Sequence, residues 1–143
     1  MTKMKENFKI LARYVKDISS ETPDVQTYIF VKENISKYQL NIDINSKPLK
    51  NKMIEVNTIL KFEDKEVNEK KSYFEIIYVS VVKIKGELKN KEDLEKILLC
   101  DVQNQIYPSL EKSFLNLLHD SGYPEIKLGK KIDFTKLYKQ RSN

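Results

Sequence analysis

The sequence predicts an α+β fold: a four-stranded antiparallel sheet followed by one long and one short helix. Three observations predict it. Apolar residues alternate with polar ones, the two-residue period of a strand, over most of the first 84 positions. From Asn90 onward they recur every four residues, close to a helical period. The two patterns are segregated along the chain, which selects an antiparallel sheet over a parallel one. A chain of 143 residues suits a single domain, expected to span 1–143.

The first strand is expected over residues 8–20, with Phe8, Ile10 and Ala12 on one parity and a register break near Arg13-Tyr14. Pro23 stops it, and residues 22–36 read as a loop. Residues 37–45 alternate cleanly, Tyr38, Leu40, Ile42 and Ile44 against Gln39, Asn41, Asp43 and Asn45, and Ser46-Lys47-Pro48 closes that run. Residues 53–62 alternate again, and the charged stretch 63–71 forms a turn. Residues 72–84 are β-branched, aromatic and nearly continuous, as in a strand covered on both faces. A helix can cover one face and another subunit the other.

Asn90 caps the long helix, with Glu92 and Asp93 in the first turn, where the helix dipole favours acids. Leu94, Leu98, Val102, Ile106, Leu110, Phe114 and Leu118 form its stripe, and Gly122 ends it. A straight helix over 91–120 would be about 45 Å long, too long for one small sheet, and Pro108 lies inside it. A break is therefore expected at 104–108. A second short helix starts at Asp133 as cap, with Phe134, Leu137 and Tyr138 on one face.

Composition narrows the function. Cys100 is the sole cysteine, so no internal disulfide forms, and a reducing compartment fits. The lysines near the N-terminus are not followed by an apolar core, and no run approaches about 18 apolar residues. A cytoplasmic location is expected. The net charge is +5. It suits either an anionic partner, nucleic acid or membrane, or a general lysine bias. Lysines are mixed with acids, as in 63–71, and Arg13 and Arg141 are the only arginines among 26 basic residues, which favours the bias.

Catalytic chemistry is scarce. One histidine, His119, stands in the last turn of the long helix, where it suits the dipole. One His and one Cys do not make a zinc site, and three glycines exclude a Gly-rich phosphate loop. Asp17 and Glu21 share a parity with Val15 and Ser19. Such an acidic row either protects a sheet edge or docks a basic partner. Tyr28 and Phe30, with Phe134, Leu137 and Tyr138, either line an apolar groove for extended peptide or pack over one edge of the sheet.

Four segments, in order, resemble the SecB family of protein-export chaperones. Tyr14-Val15-Lys16-Asp17-Ile18-Ser19-Ser20-Glu21-Thr22-Pro23 resembles the family's first-strand motif. Phe74-Glu75-Ile76-Ile77-Tyr78-Val79-Ser80-Val81-Val82 is similar to a core strand, and Ile106-Tyr107-Pro108 to the aromatic-Pro of the long helix. Gly122-Tyr123-Pro124, then Ile132-Asp133-Phe134 and Leu137-Tyr138, resemble the family's C-terminal pattern, with one residue fewer after the glycine. The chain departs from the familiar members in being basic, and Glu111 follows the aromatic-Pro where they carry a basic residue.

The resemblance implies an ATP-independent holdase, not an enzyme, that binds unfolded secretory precursor proteins and hands them to the SecA motor. It implies a homotetramer, a dimer of dimers. It implies motor binding by Asp17, Glu21, Tyr73 and Glu75, and client binding by Tyr28, Phe30, Phe134, Leu137 and Tyr138. It implies that Phe74, Ile76 and Tyr78 lie on the face that governs oligomer assembly. No cofactor, metal, nucleic acid or stable membrane insertion is expected. Two other readings stay open: a chaperone of the same fold dedicated to one partner, such as an antitoxin, and a basic nucleic-acid-binding α+β domain.

Overall fold

The computed structural model describes residues 7–67, 69–87, 90–128 and 132–142. Four antiparallel strands form one sheet: β1 (Phe8–Glu21), β2 (Gln39–Pro48), β3 (Met53–Glu63) and β4 (Tyr73–Ile84), in the spatial order β1-β4-β3-β2. The expected fold class holds. β4 lies between two strands because its near-continuous apolar run suits the interior of a sheet. Polar β2 and charge-bearing β1 are the edges.

One face of the sheet is the core. Phe74, Ile76, Tyr78 and Val82 of β4 and Val56, Leu60 and Phe62 of β3 point there, against Ile106, Leu110, Phe114 and Leu118 of helix α3 (Val102–Asp120). An aromatic cluster closes one end. Phe74 stands 6.3 Å from Tyr38, 6.3 Å from Phe62 and 5.7 Å from Tyr123, ring centre to ring centre. The other face carries Ile77, Val79 and Val81, the odd positions of β4. Val79 is buried there between its ladder neighbours Tyr14 and Asn57, outside the core cluster.

Three expectations are corrected. β1 has two register shifts instead of one, at Leu11 and at Lys16, flanking the expected position. Each bulge inserts an extra residue and reverses parity. Phe8 and Ile10, then Val15, then Ile18 are the apolar residues on the core side, and their parity changes twice, which is the sequence trace of two bulges.

Residues 22–36 are not a loop. Asp24 caps a helix, α1 (Val25–Glu33), by accepting the Thr27 N–H at 2.7 Å, and a 3₁₀ turn, Ile35–Lys37, follows. Hydrogen bonds from the Thr27 hydroxyl and backbone N–H hold the Asp24 carboxyl below its ordinary pKa.

The long helix departs from α geometry earlier than 104–108. The short helix α2 (Lys91–Lys96), capped by Asn90 at 2.9 Å from the Asp93 N–H, runs into a π turn at Ile97–Asp101 and then into α3. Recurrence every four residues outruns a turn of 3.6, and a wide π turn takes up part of the surplus. The buried Gln103 pins this turn to the sheet. Its Oε1 accepts from the Thr58 hydroxyl at 3.0 Å, and its Nε2 donates to the Leu98 carbonyl at 3.2 Å. α3 continues through Pro108 because both Pro108 and Asn104, whose carbonyl loses its N–H partner there, are exposed to water.

Candidate functional site

Strand register, not nearness in sequence, assembles the acidic candidates. Across the β1–β4 ladder Asp17 opposes Ile77, Ser19 opposes Glu75 and Glu21 opposes Tyr73. Directly opposed residues share a face, so Asp17, Glu21, Tyr73 and Glu75 meet on the face turned away from the helices. The bulge at Lys16 puts them there. Val15 opposes Tyr78 on the core side, so it leaves the row it was expected to share with Asp17.

Glu63 completes the cluster; it ends β3 and does not belong to the turn expected over 63–71. Lys61 pairs with Glu75 at 3.4 Å, and the Ser19 hydroxyl donates to Asp17 at 2.6 Å. The phenol of Tyr73 reports the field. Burial first, then the hydrogen bond and charge of Glu75, then the charges of Asp17 and Glu63, raise its pKa to about 12. Because the folded value is the higher one, this contribution to stability is complete below pH ~10 and is lost as pH rises through about 12. Replacing Asp17 by Asn and Glu75 by Gln should move the Tyr73 titration part of the way back. Phenolate absorbance, with Tyr73→Phe as the blank, reads it. An unmoved titration would mean that these carboxylates do not crowd the phenol.

The client candidates fall into two groups instead of one. Tyr28 and Phe30 are half-buried on α1. The Tyr28 ring stacks on Tyr123 at 5.2 Å, and its hydroxyl donates to the Gly122 carbonyl at 2.7 Å. Gly122 has φ +108°, and a Cβ there would lie 2.6 Å from the Tyr28 ring, so glycine is required twice over. Tyr123 of the Gly122-Tyr123-Pro124 motif lines a cavity of about 220 Å³ at this end with Ile126 and with Ile35, which no motif contains.

The second group is on α4 (Phe134–Ser142). Phe134 is buried edge-on to Tyr107 at 5.2 Å, Leu137 is exposed, and the Tyr138 hydroxyl donates to the Glu92 carbonyl at 3.2 Å. Tyr138 lines a cavity of about 420 Å³ with Ile44, Leu98 and Leu99 on one side and Asn45, Ser46 and Glu95 on the other. Tyr107 and Gly122 are 15 positions apart on and just beyond α3, so the two groups are separated by about 20 Å along the helix. Tyr107 carries a hydroxyl whose pKa is raised by burial and by the charge of Glu111.

Phe74, Ile76 and Tyr78, expected at an oligomer interface, are buried in the chain's own core. A role in assembly would then run through the helices they support instead of through direct contact with another copy. Cys100 is buried too, 3.2 Å from the Thr135 hydroxyl, and the His119 Nε2 lies 3.1 Å from the Ile126 carbonyl. Among the described residues no group of three or more His, Cys, Asp or Glu could hold a metal ion. Among them, no helix is long and apolar enough to cross a membrane.

Comparison with known proteins follows the same lines. The family model described as "Preprotein translocase subunit SecB" matches residues 1–143. A protein of Pelagibacter ubique named "Putative protein-export protein SecB" is 63% identical over 140 residues, 98% of this chain and 100% of that protein. A "Protein-export protein SecB" of Mesorhizobium japonicum is 25% identical over 135 residues, 94% of this chain and 79% of that one. Among solved structures, the SecB-like chaperone of Mycobacterium tuberculosis in complex with an antitoxin peptide superimposes with a TM-score of 0.62. It has 9% identity and covers 87% of this chain and 91% of that one, a likeness of fold.

Proposed function

This chain belongs to the SecB family, and from that premise we propose that it is an ATP-independent holdase that binds unfolded precursors and delivers them to the SecA motor. A SecB-type chaperone role follows from the family itself. The finer reading is carried by one observation. The acidic cluster lies on the outer face of the sheet, and two partly apolar cavities lie on the helix side. Client and motor can therefore be held at once.

Binding, not bond-making, is the mechanism. Apolar client segments bury against Tyr28, Phe30, Leu137 and Tyr138 at about 25 cal/mol per Å², while Phe134 supports the wall from behind. β2 is an edge strand whose Ile44–Ser46 stretch borders the larger cavity, so an extended segment can also pair with its backbone. Asp17, Glu21, Tyr73 and Glu75 meet a basic surface of the motor. Edge strand β1 exposes Leu11, Tyr14, Val15 and Ile18. An apolar edge of this kind invites pairing with a second copy, which supports a homotetramer built as a dimer of dimers. Repeated weak sites on one cytoplasmic oligomer then give avidity.

A second reading has a specific observation behind it. The fold neighbour from Mycobacterium tuberculosis was solved with an antitoxin peptide, and the same two cavities would suit a single dedicated partner. Diluting a chemically unfolded precursor with and without this protein, at physiological salt and without ATP, separates the two. Suppressed light scattering near stoichiometric amounts is the expected result. Unchanged aggregation with a folded sample would remove the general holdase and leave the dedicated partner.

A further inference from the structure

Lysines predominate at one end of the sheet. Six exposed ones, Lys9, Lys47, Lys50, Lys52, Lys83 and Lys85, gather at the end opposite the acidic cluster, with Glu55 across from Lys47 and Glu87 two residues beyond Lys85 as the acids among them. Register brings them together. Lys83 lies across from Lys9 on one side and from Met53 on the other. The Ile84 N–H donates to the Lys52 carbonyl at 3.1 Å, and the Lys85 N–H to the Asn7 carbonyl at 2.8 Å. Lys50 and Lys52 ride on the β2–β3 turn, where Asn51 and Lys52 adopt φ of 61° and 60°. Among the described residues none of the six forms an ion pair, and the Lys9–Lys83 juxtaposition sets like charges directly opposite. Such a pair weakens a ladder unless an anionic partner offsets it. The acid of α2 nearest this side, Glu95, approaches Ile44–Ser46 on the helix face.

We propose that this end of the sheet is a reversible docking surface for an anionic lipid bilayer. Three features favour a bilayer over nucleic acid. The cations are all lysine, point charges suited to a diffuse surface, whereas phosphate and base recognition favours arginine forks. No aromatic side chain is interleaved in the Lys47–Lys52 turn on which a base could stack. Leu49, exposed between Lys47 and Lys50, offers an apolar tip to the headgroup layer. The lysines also span four strand ends and a turn, a rim about 15 Å wide that matches a flat partner better than a groove does. With this end on the bilayer, the acidic cluster at the opposite end stays free for a protein partner.

Sedimentation with vesicles of equal parts phosphatidylcholine and phosphatidylglycerol, against pure phosphatidylcholine, tests the surface. Each lysine near such a surface contributes about fivefold to binding. The triple variant Lys50→Glu/Lys52→Glu/Lys85→Glu should therefore lose at least about 100-fold. Lys37→Glu/Lys71→Glu/Lys112→Glu, with the same net charge placed elsewhere, should keep most of the binding. Leu49→Ser should weaken it a few-fold at unchanged net charge. Equal sedimentation with both lipids, or equal loss in both triple variants, would overturn the proposal. So would a single-stranded RNA that binds the tip lysines more tightly than the vesicles do. Aggregation suppression, measured without lipid, is independent of all these outcomes.

Discussion

Reversing Asp17 and Glu75 together to lysine is expected to weaken SecA binding by about 100-fold and to leave aggregation suppression intact. Both carboxylates belong to the outer-face cluster around Tyr73. Placing like charges across a docked interface costs several kcal/mol, and each 1.4 kcal/mol is about tenfold in affinity. The side chains face away from the helices, so the apolar cavities and the core are untouched. Glu75 is the more sensitive of the two. It is the better covered, and it accepts both Lys61 and the Tyr73 hydroxyl. Its reversal also sets Lys61 against a second lysine, so Glu75→Gln, which removes charge without repulsion, should show a smaller loss of the same kind. Calorimetric titration of SecA reads each variant. Equal affinity in wild type and double reversal would take the motor-docking role away from this face.

Phe74→Ala is expected to lower the stability of the fold by about 3–5 kcal/mol, a large share of the 5–15 kcal/mol typical of a whole domain. Phe74 is 1% exposed and is the hub of the ring cluster with Tyr38, Phe62 and Tyr123. Tyr123 in turn carries the stacked Tyr28. The loss should therefore reach the smaller cavity and weaken client binding along with the fold. Denaturant unfolding measures it as a shifted midpoint at a nearly constant slope. Dissociation of the proposed oligomer into subunits that unfold at the wild-type midpoint would point to a direct interface role for Phe74. Loss of the midpoint itself would identify it as core.

The interior place of β4 and its helix-covered face were legible because β4 carries its own signature, a nearly continuous apolar run from Phe74 to Ile84. The cap at Asn90 was legible because Asn followed by acids is a local pattern. Helix α1 was not. Its inward residues Thr27 and Val31 are few, and exposed Val25 and Ile29 blur the apolar stripe. The signal that could have found it is Asp24 just after Pro23, an N-cap three residues before Thr27. The π turn was hidden for a different reason. A four-residue repeat fits a curved α-helix and a widened turn equally well, and Pro108 drew the expected break toward itself. Its tolerance depends on which side of the helix faces water, a tertiary fact.

For the acidic row the sequence named residues that the register brings onto one face, but it could not show how they meet. Parity counting works only within an unbulged strand, and Lys16 interrupts β1 just before Asp17. The contribution of Glu63 depends on the neighbouring strand and could not come from local sequence. The client candidates were split into two groups because nothing in the spacing of Tyr28 and Phe134 tells how α3 separates them.

If one chain both holds a client and passes it to the motor, a transfer experiment will show it. A fluorescently labelled unfolded precursor is bound to this protein, SecA is added without nucleotide, and the label is followed into a precursor–SecA complex by anisotropy and size-exclusion chromatography. The expected result is transfer with wild type and retention on the Asp17→Lys/Glu75→Lys variant. A wild-type complex that holds the precursor and neither binds SecA nor yields the label to it would contradict the export reading and assign the same fold to a dedicated partner.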